Sequence, residues 1–219
     1  MSDGAHYYTK KPRSESRRET IVYSPGRHSG VTLRFITDSG VFSKSRVDFG
    51  SDLLVRSLPP LKGRVLDLGC GYGVLGISLA ALNPGAEVWF TDINERALAL
   101  CRENFGLNLN VMDNAGGARF IPSDDLAALG CDGFSAIVTN PPIRAGKKTV
   151  YGMFADAFDR LADGGALYLV IQKKQGMESA SRELERLFGN CSDLERKSGY
   201  HVLRAVKAAN RPADRIDLV

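Results

Sequence analysis

The sequence predicts a doubly wound α/β fold: a seven-stranded, mostly parallel sheet with one antiparallel strand, covered by helices on both faces. Three observations lead to it. From residue 64 onward, short apolar, β-rich runs alternate with segments of helical period, the pattern of right-handed βαβ units. The first of these strands runs straight into a glycine-rich turn, Gly69-Cys70-Gly71-Tyr72-Gly73, and then a helix, as at the ligand crevice of open α/β sheets. The last two strands are separated only by Ser198-Gly199, a turn that short being compatible only with antiparallel pairing.

In order, RVLDL (64–68) predicts a buried strand and VLGISLAAL (74–82) a helix stopped at Asn83-Pro84-Gly85. EVWFTD (87–92) predicts the second strand, and 94–106 a helix opening on Asn94 and Glu95. A third strand near 118–121 precedes a helical turn near 125–129, and SAIVTN (135–140) runs into Pro141-Pro142. A helix over about 148–162 ends at Asp163-Gly164-Gly165, ALYLVIQ (166–172) is a strand, 177–188 a helix, and 191–197 and 200–206 the closing pair. Ahead of these, residues 1–30 read as a basic, largely irregular arm. VTLRFI (31–36) alternates and is expected to pair with 41–42 across Asp38-Ser39-Gly40, and 50–58 is a short helix stopped by Pro59-Pro60. The 219 residues then divide into the arm, one domain over 31–207 whose first 30 residues cover the site, and a tail over 208–219.

Composition narrows the function classes. No apolar run approaches the ~18 residues needed to span a bilayer, and the N-terminus MSDGAHYYTKKP has no apolar signal region, so a cytoplasmic location without membrane contact is expected. Cys70, Cys101, Cys131 and Cys191 form no C-x-x-C pair, and His6, His28 and His201 are scattered; neither a disulfide framework nor a metal site is expected. The net charge is +4, and residues 1–34 hold seven Lys/Arg against three acids while the rest of the chain balances. The excess in the arm suits a polyanionic partner, or a solvated tail.

The glycine turn lets the backbone lie close to a ligand, with the N–H groups of the next helix aimed at the same place. Asp92 ends the second strand, where a carboxylate accepts hydrogen bonds from ribose hydroxyls. Gly71-x-Gly73-x-x-Gly76 also satisfies a dinucleotide pattern, so a nicotinamide-dependent oxidoreductase is a competing reading. Against it, the glycines begin at Gly69 and Asp67 lies at the strand end, where a carboxylate repels a pyrophosphate but attracts an ammonium. That chemistry favours S-adenosylmethionine, with Asp67, Gly69, Cys70, Gly71, Gly73, Asp92 and Ile93 as candidate contacts. Asp124 follows the third strand and suits the adenine amino group, or a helix N-cap.

Asn140-Pro141-Pro142-Ile143 follows the fourth strand. Two prolines hold the backbone in a fixed extended shape, presenting the Asn140 amide oxygen and a nearby carbonyl as two aimed acceptors. Such a pair grips the two protons of a conjugated NH2 and stabilises charge developing on its nitrogen. Asn140, Pro141, Pro142 and Ile143 are therefore the candidate catalytic residues, with Asn140 also beside the cofactor. Arg144 and Lys147, with Lys148, could hold phosphates of a nucleic acid, or be solvated. The acceptor stays open at this point, since guanine N2, adenine N6 and a protein glutamine amide all present a planar NH2.

At these residues the chain resembles the class I methyltransferases, with their Rossmann-like fold, through DLGCGYG, Asp92 and NPPI. More narrowly, it is similar to the small-domain ribosomal RNA methyltransferases that modify guanine N2 in small-subunit RNA. The shared stretches are His6-Tyr7-Tyr8, DSGVFSKSRVDFGSDLL (38–54), NPPIRAGK (140–147), VIQKKQG (170–176) and GYHVLRAVK (199–207). The resemblance implies S-adenosylmethionine as cofactor and ribosomal RNA or the small subunit as partner; the protein is expected to act as a monomer. It also implies that Phe42 and Ser43, with Asp48 nearby, cover the site on the substrate side. Many members carry an aromatic residue where this chain has Ile143, so base stacking must come from elsewhere.

Overall fold

The computed structural model describes residues 18–26, 29–38, 46–112, 117–123 and 133–209. Its strands are β1 (Arg18–Tyr23), β2 (Leu33–Asp38), β3 (Gly63–Leu68), β4 (Ala86–Asp92), β5 (Arg119–Pro122), β6 (Phe134–Thr139), β7 (Leu161–Gln172), β8 (Ser192–Lys197) and β9 (Tyr200–Val206). Its helices are α1 (Phe49–Ser57), α2 (Val74–Leu82), α3 (Glu95–Leu107), α4 (Lys147–Arg160) and α5 (Met177–Phe188).

Seven strands form one sheet in the order β5-β4-β3-β6-β7-β9-β8. Neighbours from β5 to β7 are parallel, and β9 runs antiparallel to both β7 and β8. Ser198 and Gly199 both adopt left-handed backbone, with φ of 51° and 78°, the geometry that joins two twisted antiparallel strands most tightly. The chain steps outward from β3 through β4 to β5, then crosses back to β6 on the other flank of β3. The order of the sheet reverses there, so the turns after β3 and β6 diverge and leave a crevice between them.

Successive residues of the central strands alternate between two cores. Val65, Val88 and Phe90 pack with α1, α2, α3 and the β1–β2 ribbon, whereas Leu66, Trp89 and Ile137 pack with α4 and α5. Helix α2 is apolar nearly all round because it is buried between the sheet and its neighbours. Gly76 sets its depth: a Cβ there would stand 2.3 Å from Phe90 Cε1. This glycine is a helix–sheet contact, which accounts for the dinucleotide-type spacing without a dinucleotide.

Two expectations change. Within the stretch read as irregular, β1 pairs antiparallel with β2, Arg18 opposite Asp38 through Tyr23 opposite Leu33; residues 41–42, the expected partner, lie outside those described, as does the 125–129 turn. Apart from Ile21, β1 is exposed or half-buried, so its sequence carries almost no apolar alternation. Strand β7 also begins at Leu161 and runs through Asp163-Gly164-Gly165, because Gly164 N donates to Lys207 O at 2.8 Å and Lys207 N to Gly165 O at 2.9 Å. Elsewhere α2, α5 and β9 keep their expected limits, and the other shared elements shift by one or two residues.

The free edge of β2 is closed by side chains. Asn108 bonds the N–H and C=O of Arg34 at 2.9 and 2.8 Å, and Asn104 those of Ile36 at 2.7 and 2.9 Å. Asn104 also donates to Tyr72 O at 2.9 Å, tying the ribbon to the glycine turn. Asn104→Ala removes these bonds and leaves buried backbone groups unpaired, so urea unfolding should show a loss of about 2–3 kcal/mol. A loss below about 0.5 kcal/mol would mean that the ribbon docks without them.

Candidate functional site

The turns after β3, β4 and β6 meet around a cavity of about 620 Å³. Gly69 and Cys70 donate their N–H groups to Thr91 O, each at 2.9 Å. Gly71 N reaches Asp92 Oδ2 at 2.8 Å, and Asn94 N reaches Asp92 Oδ1 at 2.8 Å. Backbone donors thus fix the Asp92 carboxylate without filling its four lone-pair sites, which leaves room for a ligand hydroxyl. Burial pushes its carboxyl above the ordinary carboxylate range, opposed by the N–H groups of Asn94, Gly71 and Ile93. Gly71 has φ 56° and open space where a Cβ would stand; it lines the cavity with Gly69, Cys70, Asp92 and Ile93. Cys70 and Cys101 are buried free thiols, hydrogen-bonded to one another.

Three candidates take other roles. Asp67 is fully buried and absent from the cavity wall. Its Oδ2 accepts from Gly76 N at 2.8 Å, and Oδ1 has no hydrogen-bond partner. Its place inside β3 turns the side chain under α2, so it braces the turn from behind. Burial raises its pKa from 3.8 to about 7, with Asp92 raising it further and the Gly76 N–H opposing. Gly73 is also off the wall; a Cβ there would stand 2.7 Å from Cys101 Sγ and Ile77 Cδ1, so it serves packing at the start of α2. Lys147 lies outside the cavity too, while Lys148, Gly152, Asp156 and Arg160, one helical turn apart in succession, face it. Phe42, Ser43 and Asp124 lie outside the described residues.

Asn140, Pro141, Pro142, Ile143 and Arg144 all line the cavity. Pro142 has φ −75° and ψ 77°, an inverse γ-turn in which Ile143 N donates to Pro141 O at 2.9 Å. That carbonyl keeps its second lone pair. The amide nitrogen of Asn140 donates to Asp48 Oδ1 at 3.2 Å and to Ser51 Oγ at 3.0 Å. An ionised carboxylate only accepts, so the NH2 end of Asn140 faces α1 and the oxygen end faces away from it. Asp48 is the N-cap of α1, with Oδ1 also accepting from Ser51 N at 3.0 Å.

Ser51, Gln172 and Tyr200 complete the wall without having been singled out. Tyr200 packs against Phe49 with ring centroids 5.2 Å apart and planes tilted by 50°, and Phe49 is 39% exposed; Tyr200 puts an aromatic ring on the cavity wall. Asp48 was legible as an N-cap ahead of an apolar run; its reach to Asn140 depends on how α1 crosses the sheet.

The lining suits an adenosine-bearing cation better than a diphosphate. The glycine cradle has the Asp92 carboxylate on its wall and, among the described residues, no cation beside it, and the wall's cations, Arg144, Lys148 and Arg160, come from the segment after β6 and from α4. Asp92 could accept from ribose hydroxyls, and Ile93, 45% exposed, could meet an adenine face. These residues fit S-adenosylmethionine. Among the described residues no cluster of three or more His, Cys, Asp or Glu could hold a metal ion, and no helix is long and apolar enough to cross a membrane.

Comparison with known proteins agrees with this lining. A sequence profile of the family described as "Methyltransferase small domain" matches residues 32–204. The "Uncharacterized protein YbxB" of Bacillus subtilis is 42% identical over 205 residues, covering 92% of this chain and 98% of that protein. The "Ribosomal RNA large subunit methyltransferase G" of Klebsiella pneumoniae is 34% identical over 174 residues, 77% of this chain and 45% of the relative. Among solved structures, the Thermus thermophilus 16S rRNA N2 G1207 methyltransferase in complex with AdoMet and guanosine superposes with a TM-score of 0.71 at 28% identity. That match covers 90% of this chain and 52% of the other, so the chain spans about half the length of the ribosomal RNA methyltransferases it matches.

Asp67 keeps its proton to a higher pH folded than unfolded. Its contribution to stability is therefore full below its ordinary pKa of 3.8 and is lost as pH rises to about 7. Asp67→Asn removes that dependence. Thermal unfolding without ligand should show the variant gaining several degrees on the wild type from about pH 4 to pH 7, with a constant difference above. A gap that stays constant over this window would show Asp67 to be ionised throughout it.

Proposed function

We propose, on the premise that the chain belongs to the methyltransferase small-domain family, that it methylates the exocyclic N2 of a guanine in small-subunit ribosomal RNA. The observation that carries the reading is the Asn140 amide, fixed by Asp48 and Ser51 on the wall of the cavity that holds the glycine turn. S-adenosylmethionine, when bound, supplies a methyl group on a sulfonium that leaves as a neutral thioether. The chain's own residues prepare the nucleophile. A base amine is planar and unreactive because its lone pair is spread into the ring. The Asn140 oxygen and the Pro141 carbonyl accept from its two N–H groups, favour a pyramidal nitrogen and stabilise the charge growing there. After methyl transfer to this amine, one of the N–H protons held by Asn140 and Pro141 would pass to solvent. The remaining contribution is alignment of nitrogen, carbon and sulfur.

The name of the Thermus thermophilus neighbour, an N2 methyltransferase crystallised with guanosine, supports the choice of base. A target amine inside a helix must be splayed out to enter, and Tyr200 offers a face for stacking, worth ~1–3 kcal/mol. Arg144 and Lys148 at the α4 side hold flanking phosphates. The protein does this as a monomer in the cytoplasm.

Tritiated S-adenosylmethionine should label small ribosomal subunits, and digestion should return the label as N2-methylguanosine. Asn140→Ala should lower the rate by roughly 10²–10³-fold with much less effect on cofactor binding. Ser51→Ala, which leaves the Asp48 contact, should cost roughly 2- to 10-fold in kcat. Label in adenine or in protein, or full activity in Asn140→Ala, would overturn the reading; label confined to the large subunit would move the target RNA and keep the chemistry.

A further inference from the structure

Asp48 has one oxygen more than its contacts use. Oδ1 accepts from Ser51 N and from Asn140 Nδ2, and the Asp48 carbonyl accepts from Asp52 N at 3.1 Å, so the residue is held at several points. It lines the cavity. Among the described residues nothing hydrogen-bonds to Oδ2 and no cation pairs with the carboxylate. The cavity therefore carries a fixed negative acceptor directly beside the amide that receives the target amine.

The base amines that a fixed Asn-Pro-Pro turn can grip differ in their neighbouring ring nitrogen. In guanine the 2-amino group adjoins N1–H, a donor. In adenine the 6-amino group adjoins N1, and in cytosine the 4-amino group adjoins N3, both lone-pair acceptors. A carboxylate next to the amine site bonds the first by a charge-assisted hydrogen bond and repels the other two. Asn140 selects for an amine without choosing the base, and a neighbour that only accepts makes the choice.

We propose that Asp48 is the specificity-determining residue of this site, its Oδ2 accepting from N1–H of the guanine whose N2 is gripped by Asn140. This rests on the guanine reading above and deepens it. The arrangement also rejects wrong bases, because an adenine seated here would bring a lone pair against a fixed carboxylate oxygen.

The test is the preference between guanosine and 2-aminopurine riboside, which share the 2-amino group and differ in whether N1 carries a proton. Binding to the protein saturated with S-adenosylhomocysteine is read by NMR titration. Wild type should prefer guanosine. Asp48→Asn keeps a good N-cap for α1 and an acceptor for Ser51 and Asn140, but puts an NH2 donor where Oδ2 stood. The preference should then move toward 2-aminopurine riboside by about 100-fold. Asp48→Ser, which caps the helix and has no second oxygen, should abolish the preference without reversing it. Unchanged guanosine preference in both variants would overturn the role of Asp48 and leave the guanine reading standing. A wild type that prefers adenosine would overturn both.

Discussion

The site depends on a constraint of hydrogen-bond polarity. An amide can present either end to its surroundings, and only a partner that cannot donate decides which. Asp48 is such a partner. By accepting from Asn140 Nδ2 it turns the amide oxygen away from α1, and the capping bond from Ser51 N keeps Asp48 itself from rotating. A helix cap, a local device worth about 1 kcal/mol in stability, thereby also supports the proposed amine acceptor, Asn140, 92 residues further along the chain.

The cofactor side is built by the same economy of groups. The turn after β3 is anchored through backbone donors to Thr91 O and Asp92, so the residue that would meet ribose hydroxyls also fixes the glycines that would meet the rest of the ligand. Asn104 carries this order outward, joining Tyr72 in the turn to Ile36 in β2. The two halves of the site belong to the two turns flanking the reversal of the sheet, and neither needs a movable element to face the other.

Much of this was legible in the sequence because it is local. Helix α5 shows its period, α2 its apolar run and stop signal, and the Ser198-Gly199 turn declares an antiparallel pair. The glycine turn and Asn140-Pro141-Pro142 announce themselves by residue type. What was not legible is tertiary. Asp67 looks like a ligand contact until burial under α2 places it behind the turn. Lys147 and Lys148 are alike in composition, and only the phase of α4 separates the one in the cavity from the one outside. Strand β1 is hidden because its partner, not its own pattern, holds it. Ser51 and Tyr200 reach the cavity from opposite ends of the chain.

The account's central claim is that Asn140 offers its oxygen, not its nitrogen, to the substrate amine. A crystal structure of the protein with S-adenosylhomocysteine and guanosine tests it most directly. The account predicts the guanine N2 at about 2.9 Å from Asn140 Oδ1, with Asn140 Nδ2 still bonded to Asp48 and Ser51. A base bound with its amine away from Asn140, or an Asn140 amide turned to donate into the cavity, would contradict it.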